Sequence, residues 1–150
     1  MAIVERIEDI PKMYYVDAGT YLEGQLLKEG TGATRVALIS AKGDTAIAVV
    51  DQTVFAHKST TAKTYTAGEG IMAYPLGCKA VVLVSSEITV TYNPGAAIYL
   101  ADTVDGDVNA TAATSRPIGH YPRWLAARVT VAAHEKVPCY LDVEPGAATV

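Results

Sequence analysis

The sequence is poor in charged residues and contains no long apolar run. Its apolar stretches are far shorter than the roughly 18 residues that a membrane-spanning helix needs. Lysine and arginine never cluster beyond a pair of neighbours, and the net charge is −4. Binding to the phosphate backbone of a nucleic acid requires a basic stripe on the protein, and this sequence has none. The sequence therefore predicts a protein that binds neither membranes nor nucleic acids.

Cysteine is also scarce, because the chain has only Cys78 and Cys139. The N-terminal stretch MAIVERIEDIPK carries charges inside its apolar residues, which is not the pattern of a secretory signal peptide. An oxidising compartment is therefore not expected. Both cysteines lie in apolar surroundings and are predicted to be free, buried thiols.

Patterns typical of metal or nucleophilic sites are absent. His57, His120 and His134 lie far apart, and none has a cysteine or carboxylate at metal-ligand spacing. No GxSxG nucleophile elbow occurs. The two Gly-x-Gly pairs at 30–32 and 68–70 do not extend into a phosphate-binding loop, so they indicate turns.

One acidic cluster, DTVDGD, contains Asp102, Asp105 and Asp107. It lacks the ligand spacing of a calcium loop, and its Asp-Gly pair favours a hairpin turn. From these absences we expect no catalytic residue, no cofactor and no metal site, and therefore a protein that is not an enzyme.

Alanine, valine and threonine dominate the chain instead, and glycine turns divide it into short apolar runs. Short β-branched runs at close, even spacing favour an antiparallel sandwich or barrel. We predict a mainly β fold: a compact antiparallel β-barrel or β-tulip-like domain with an extended N-terminal arm and at most one or two short helices. The predicted strands are 33–40, 45–51, 63–67, 80–85, 87–92, 96–100, 107–112 and 137–143.

Three of these runs also predict burial. The run 87–92 alternates, which places Ile88, Val90 and Tyr92 on one face of a half-buried sheet. The runs 45–51 and 80–85 are apolar throughout, so both are expected to be covered on two faces.

The two ends of the chain are less regular, and so is the segment 122–135. Pro122 and the alanines after it suit a short helix, but Arg128–Val131 suits a strand equally. Residues 1–20 form either a terminal strand or turn packed on their own domain, or an arm that lies on a neighbour. The predicted organisation is an N-terminal arm over 1–19, a β-rich domain over 20–145 and a loose tail over 146–150.

The order of the motifs resembles a known family. "YNPGAAIYLAD", "DGDVNATA", "RPIGHY" and the final "KVPCYLDVEPG" follow one another as turns and strands do in the capsid decoration (cement) proteins of tailed phages and related viruses. The upstream "RVALISAKGDTAIAVVD" is similar to the paired strands of that family. The resemblance covers about residues 20–145 and concerns the rhythm of turns and strands.

The resemblance implies a virion structural protein on the outer capsid surface, made in the host cytoplasm. Its partner would be an HK97-like major capsid protein, whose neighbouring subunits it bridges, and a homotrimer is favoured. Interface contacts are expected from arm and loop residues: Ile3, Ile7, Ile10, Met13, Tyr14, Tyr15, Tyr21, Tyr121, Arg123 and Trp124.

Other interpretations stay open at this point. The lone Trp124 could equally be a core residue. The chain could be another virion assembly protein, such as a tail-tube or head-completion subunit, or a β-module that binds carbohydrate or a small ligand.

Overall fold

The structure, a computed structural model, describes residues 11–31, 35–40, 44–51, 63–101, 106–111, 117–124 and 129–144. Within these ranges it is all β and contains no helix, which confirms the predicted fold class. No described segment is therefore a helix able to cross a membrane. In chain order the strands are β1 (Lys12–Val16), β2 (Gly19–Tyr21), β3 (Leu26–Glu29), β4 (Arg35–Leu38), β5 (Ala48–Val50), β6 (Lys63–Tyr65), β7 (Gly70–Pro75), β8 (Val81–Ser85), β9 (Val90–Tyr92), β10 (Ala97–Leu100), β11 (Val108–Asn109), β12 (Pro117–His120), β13 (Val129–Val131) and β14 (Lys136–Tyr140).

The first half of the chain forms a closed barrel in the order β1-β4-β3-β5-β7. β7 pairs with β1 and closes the barrel, with Tyr14 opposite Ile71. β1 pairs in parallel with β4, where Val16 lies opposite Val36. The barrel is antiparallel, as predicted, at every pair except this one. The chain runs through β2 and β3 between the two strands, and this crossover allows the parallel pairing.

The second half forms a five-stranded sheet in the order β11-β10-β12-β14-β8. A single parallel bridge between Ser86 and Val108 connects the chain just after β8 to β11. Two short ribbons, β2 with β6 and β9 with β13, complete the described structure. Backbone hydrogen bonds join the halves: the Leu26 N–H donates to Gly106 O and the Ser85 N–H donates to Gly24 O.

β5 and the first two residues of β3 are buried on both faces because they lie between two apolar clusters. Leu27 and Val50 point into the barrel core, whereas Leu26 and Val49 belong to the larger cluster shared with the second sheet. This alternation follows from the two-residue period of a strand. It confirms that the run 45–51 is covered on two sides, since all three residues of β5 are buried.

β8 does not follow the same rule, although its sequence is equally apolar. Val81 is 42% exposed and Leu83 is 53% exposed, so the prediction of coverage on both faces is wrong. β8 lies at the end of its sheet and pairs with β14 alone among the named strands. Only the face with Val82 and Val84 packs on the core.

The alternating run 87–92 is confirmed in part. Tyr92 is buried and Val90 packs against the larger cluster, as the shared face requires. Ile88 is 46% exposed, contrary to the prediction. The reason is that the strand itself starts only at Val90.

The structure describes parts of the two segments for which the sequence left two interpretations open, residues 1–20 and 122–135. Lys12–Val16 is a strand packed on its own domain, as one of the two alternatives for residues 1–20 had it, and 1–10 lie outside the described residues. Val129–Val131 is a strand, whereas 125–128 are not described. The predicted tail, 146–150, also lies outside the described residues.

Candidate functional site

A recess of about 320 Å³ opens where β12 and β14 end beside the turn between β9 and β10. We call it the Trp124 recess. Its lining combines aromatic, cationic and acidic side chains on loops that the sheet holds in place: Gly95, His120, Tyr121, Pro122, Arg123, Trp124, Tyr140 and Asp142.

Strand pairing fixes the floor of the recess. His120 at the end of β12 lies opposite Tyr140 at the end of β14. The next residue, Tyr121, connects to the neighbouring turn twice: its N–H donates to Ala96 O at 2.9 Å, and its carbonyl accepts from Gly95 N–H at 2.8 Å. The Tyr121 side chain is buried in the larger core cluster. The segment from Tyr121 to Trp124 therefore starts from a rigid point.

The Pro94-Gly95 turn makes room for Arg123. Gly95 has φ of +79°, a conformation that side chains other than glycine rarely adopt. A Cβ atom at this position would lie 2.6 Å from Arg123 Nε. Glycine therefore allows the guanidinium to lie directly over the turn backbone.

Trp124 is the most exposed large apolar residue of the recess. Its indole is 65% exposed and meets the ring of Tyr140 edge to face, with centroids 5.1 Å apart and an angle of 77°. This arrangement is the preferred one for an aromatic pair and holds the indole in a fixed direction. The alternative of Trp124 as a core residue is therefore wrong.

The polar side of the recess is an imidazole–carboxylate pair. His120 Nδ1 lies 2.7 Å from Asp142 Oδ1, and both side chains are partly exposed. The Asp142 N–H donates to Tyr140 O, which keeps the carboxylate beside the strand end. An exposed indole, a guanidinium and this pair together are groups that recognise a ligand or partner.

A second polar cluster lies near the turn before β14. The Asp107 carboxylate is only 2% exposed, and His134 Nδ1 lies 3.3 Å from its Oδ2. Burial raises the pKa of the Asp107 carboxyl, although a hydrogen bond from Ser85 and the neighbouring His134 and Lys136 act in the opposite direction. His134 has φ of +67°, and its N–H donates to Ser86 O at 2.7 Å. This cluster ties the turn to the end of β8.

Sequence reasoning missed both histidine–aspartate pairs. His120 and Asp142 are 22 residues apart, and Asp107 and His134 are as remote, so no local spacing reveals them. The pairing register between β12 and β14 brings His120 close to Asp142. His57 lies outside the described residues. Within the described ranges, no group of three or more potential metal ligands occurs.

Both cysteines are buried and neither forms a disulfide with the other, as predicted. Cys139 is fully buried in β14, and burial raises the pKa of its thiol. A thiol with a raised pKa is a poor nucleophile at neutral pH because little thiolate forms.

The structure does not bring the interface residues predicted from the sequence together on one surface. The structure brings Tyr121, Arg123 and Trp124 together in the recess, but Tyr121 contributes backbone and a mostly buried ring. Tyr21 is 2% exposed in the barrel core, so it offers no surface to a partner. Ile3, Ile7 and Ile10 lie outside the described residues.

The remaining three predicted contacts lie on β1. Met13 and Tyr15 point outward and are 51% and 53% exposed, whereas Tyr14 faces the barrel core. None of them lines the Trp124 recess. β1 therefore presents a separate, smaller exposed surface.

Comparison of the chain with protein-family models, with curated proteins and with solved structures gives no match. The resemblance to decoration proteins therefore stays a prediction.

Proposed function

We propose that the protein is a virion structural protein that decorates the outer surface of an icosahedral capsid and stabilises it by bridging major capsid protein subunits. The observation that carries this proposal is the Trp124 recess: an exposed tryptophan next to an arginine on a rigid β body. Tryptophan and arginine are enriched among the few residues that supply most of the binding energy in protein interfaces.

The scaffold suits this role. The described residues form two sheets joined through a common apolar cluster, and tight glycine turns connect several of the strands. Little conformational entropy is lost when a preordered surface binds, so more of the contact energy appears as affinity. A rigid body is also what is needed to transmit force between neighbouring capsid subunits.

Repetition strengthens such contacts. A homotrimer that binds several capsid subunits at once would convert the second and third contacts into intramolecular events with high effective concentration. Each recess could then bind weakly while the assembled protein stays on the shell. We include the trimer in the proposal for this reason.

The test uses shells assembled from the major capsid protein encoded with this chain. The purified protein, without added metal or cofactor, is mixed with preformed shells, and bound protein is measured by co-sedimentation. We expect saturable binding at a fixed ratio to the capsid subunits, together with a higher melting temperature of the shells. No co-sedimentation at micromolar protein concentration, or binding that never saturates, would contradict the proposal.

A further inference from the structure

The Trp124 recess contains a cation that has no partner among the described residues. Arg123 is exposed and forms no ion pair or hydrogen bond with any residue in the described ranges. Its guanidinium lies over Gly95 with Nε and one terminal nitrogen near the turn backbone. By contrast, the exposed Arg35 in the barrel has Asp17 Oδ1 at 3.8 Å.

The nearest acid of the lining is already engaged. The Asp142 carboxylate lies 2.7 Å from His120 Nδ1, and the backbone N–H of Asp142 donates to Tyr140 O. The recess therefore contains one paired carboxylate and one unpaired guanidinium. A ligand that completes this arrangement would bring a carboxylate of its own.

The neighbouring positions of Arg123 and Trp124 also limit which chemical group can lie beside the ligand carboxylate. Arg123 and Trp124 are consecutive, and the indole is fixed edge to face against Tyr140. A planar guanidinium binds a carboxylate through two parallel hydrogen bonds, which is geometrically selective. A group bound next to it would lie against the exposed indole, and a flat or aliphatic group such as a proline ring or a leucine side chain suits that surface.

We propose that the Trp124 recess binds a protein segment in which an Asp or Glu carboxylate pairs with Arg123 while a neighbouring proline or aliphatic side chain packs on Trp124. This inference rests on the proposed function, because it states the chemistry of the capsid segment that the recess would recognise. The volume of about 320 Å³ admits two or three side chains, which fits a short loop.

Trp124 supplies its own signal for the test, since it is the single tryptophan of the chain. Peptides are selected from a random phage-displayed library on the full-length protein, with counter-selection on the Trp124→Ala variant. The best peptide and its partner with Gln or Asn in place of the acid are then synthesised and titrated against Trp124 emission.

We expect the selected peptides to carry an acid beside a proline or aliphatic residue. The neutral partner should bind about 10-fold or more weakly, because a charge-assisted hydrogen bond is lost. In the Arg123→Gln variant the acidic and neutral peptides should bind equally. The Arg35→Gln variant is the matched control and should retain the full preference, and melting curves establish that both variants are folded.

Four outcomes overturn the inference. The first three are a selection that returns no Trp124-dependent peptide, a neutral peptide that binds as well as the acidic one, and a preference for the acidic peptide that survives in Arg123→Gln. A fourth overturning outcome is a change of Trp124 emission with glucose, galactose or N-acetylglucosamine at millimolar concentration and none with peptides, which would indicate a sugar site.

The two proposals fail separately. If acidic peptides bind as described but the protein does not add to shells, the decoration function is wrong and the recess chemistry stands. If shells bind the Arg123→Gln variant as tightly as the natural chain, the recess chemistry is wrong and the decoration function stands.

Discussion

The barrel and the second sheet each contain five strands but present different surfaces. In the closed barrel every strand has two neighbours, and its exposed large apolar residues are Met13 and Tyr15, both on β1. The second half of the chain exposes Val81, Leu83, Ile88 and Trp124. It also holds the recess with Arg123, which has no ion-pair partner among the described residues. The comparison shows that the larger exposed apolar surface lies on the second half, and we propose that this half carries the recognition surface while the barrel serves as scaffold.

The scaffold role predicts that losing a barrel strand has the largest effect. Deleting residues 1–15 removes most of β1, which pairs with both β4 and β7. Its loss opens the barrel, and we expect it to cost a large part of the folding free energy, which is about 5–15 kcal/mol for a domain. Circular dichroism should show no cooperative unfolding transition.

The control for this deletion removes residues 1–10 and leaves every described strand intact. It should unfold cooperatively. If the 1–15 deletion melts like the full-length chain, β1 is not an essential barrel strand, and the barrel does not have the scaffold role proposed for it.

Within the second half, two identical substitutions separate interior from surface. Leu141 is fully buried, so Leu141→Ala should lower the free energy of unfolding by about 2–5 kcal/mol. Leu83 is 53% exposed, and Leu83→Ala should cost less than about 1 kcal/mol. Urea unfolding measures both. Equal losses would mean that the outer face of β8 is covered.

The turn under Arg123 can be tested with a matched pair of glycines. Gly95 and Gly68 both have positive φ, at +79° and +89°, so an alanine at either should cost about 1–2 kcal/mol. An added Cβ meets Arg123 at Gly95 but nothing within 4 Å at Gly68. We therefore expect only Gly95→Ala to change Trp124 emission and to weaken peptide binding in the recess. An unchanged recess in Gly95→Ala would show that Arg123 does not depend on this turn.

The smallest expected effect concerns the buried Asp107. Because its pKa is raised in the folded state, the folded chain binds more protons than the unfolded chain above about pH 3.8. The contribution of Asp107 to stability therefore decreases as the pH rises from that value through the folded-state pKa. Relative to Asp107→Asn, the natural chain should lose stability as the pH rises above about 4.

Urea unfolding at several pH values measures this difference. The control is Glu29→Gln, since Glu29 is exposed at the end of β3 and has no buried surroundings. If the natural chain instead gains stability relative to Asp107→Asn as the pH rises, burial is not the dominant cause of the shifted pKa.

Much of the fold could be predicted from local patterns. β-branched runs between glycine turns identified β4, β5, β6, β8, β9, β10, β11 and β14, because strand preference depends on local sequence. β2, β3, β7 and β12 were missed. In β3, Lys28 and Glu29 interrupt the apolar pattern, and in β12, Pro117 and Gly119 are unusual for a strand. Gly119 is needed there because a Cβ would collide with the Tyr140 carbonyl oxygen.

The site could be predicted less well. Arg123 and Trp124 were identified because aromatic and arginine residues in loops favour interfaces. Tyr140 and Asp142 were not, since only the register between β12 and β14 brings them to the same place. Burial posed the same problem: β5 and β8 have similar sequences, but one lies between two clusters and the other at a sheet end.

We propose that Trp124 binds the capsid, and a comparison of the shell affinities of Trp124→Ala and Leu83→Ala tests this. Both replace an exposed apolar side chain in the second half, so both should leave the melting temperature nearly unchanged. We predict that Trp124→Ala weakens co-sedimentation with shells by about 30-fold or more, as expected for an interface hot spot, while Leu83→Ala binds like the natural chain. Equal binding by the two variants would show that Trp124 does not contribute to capsid binding.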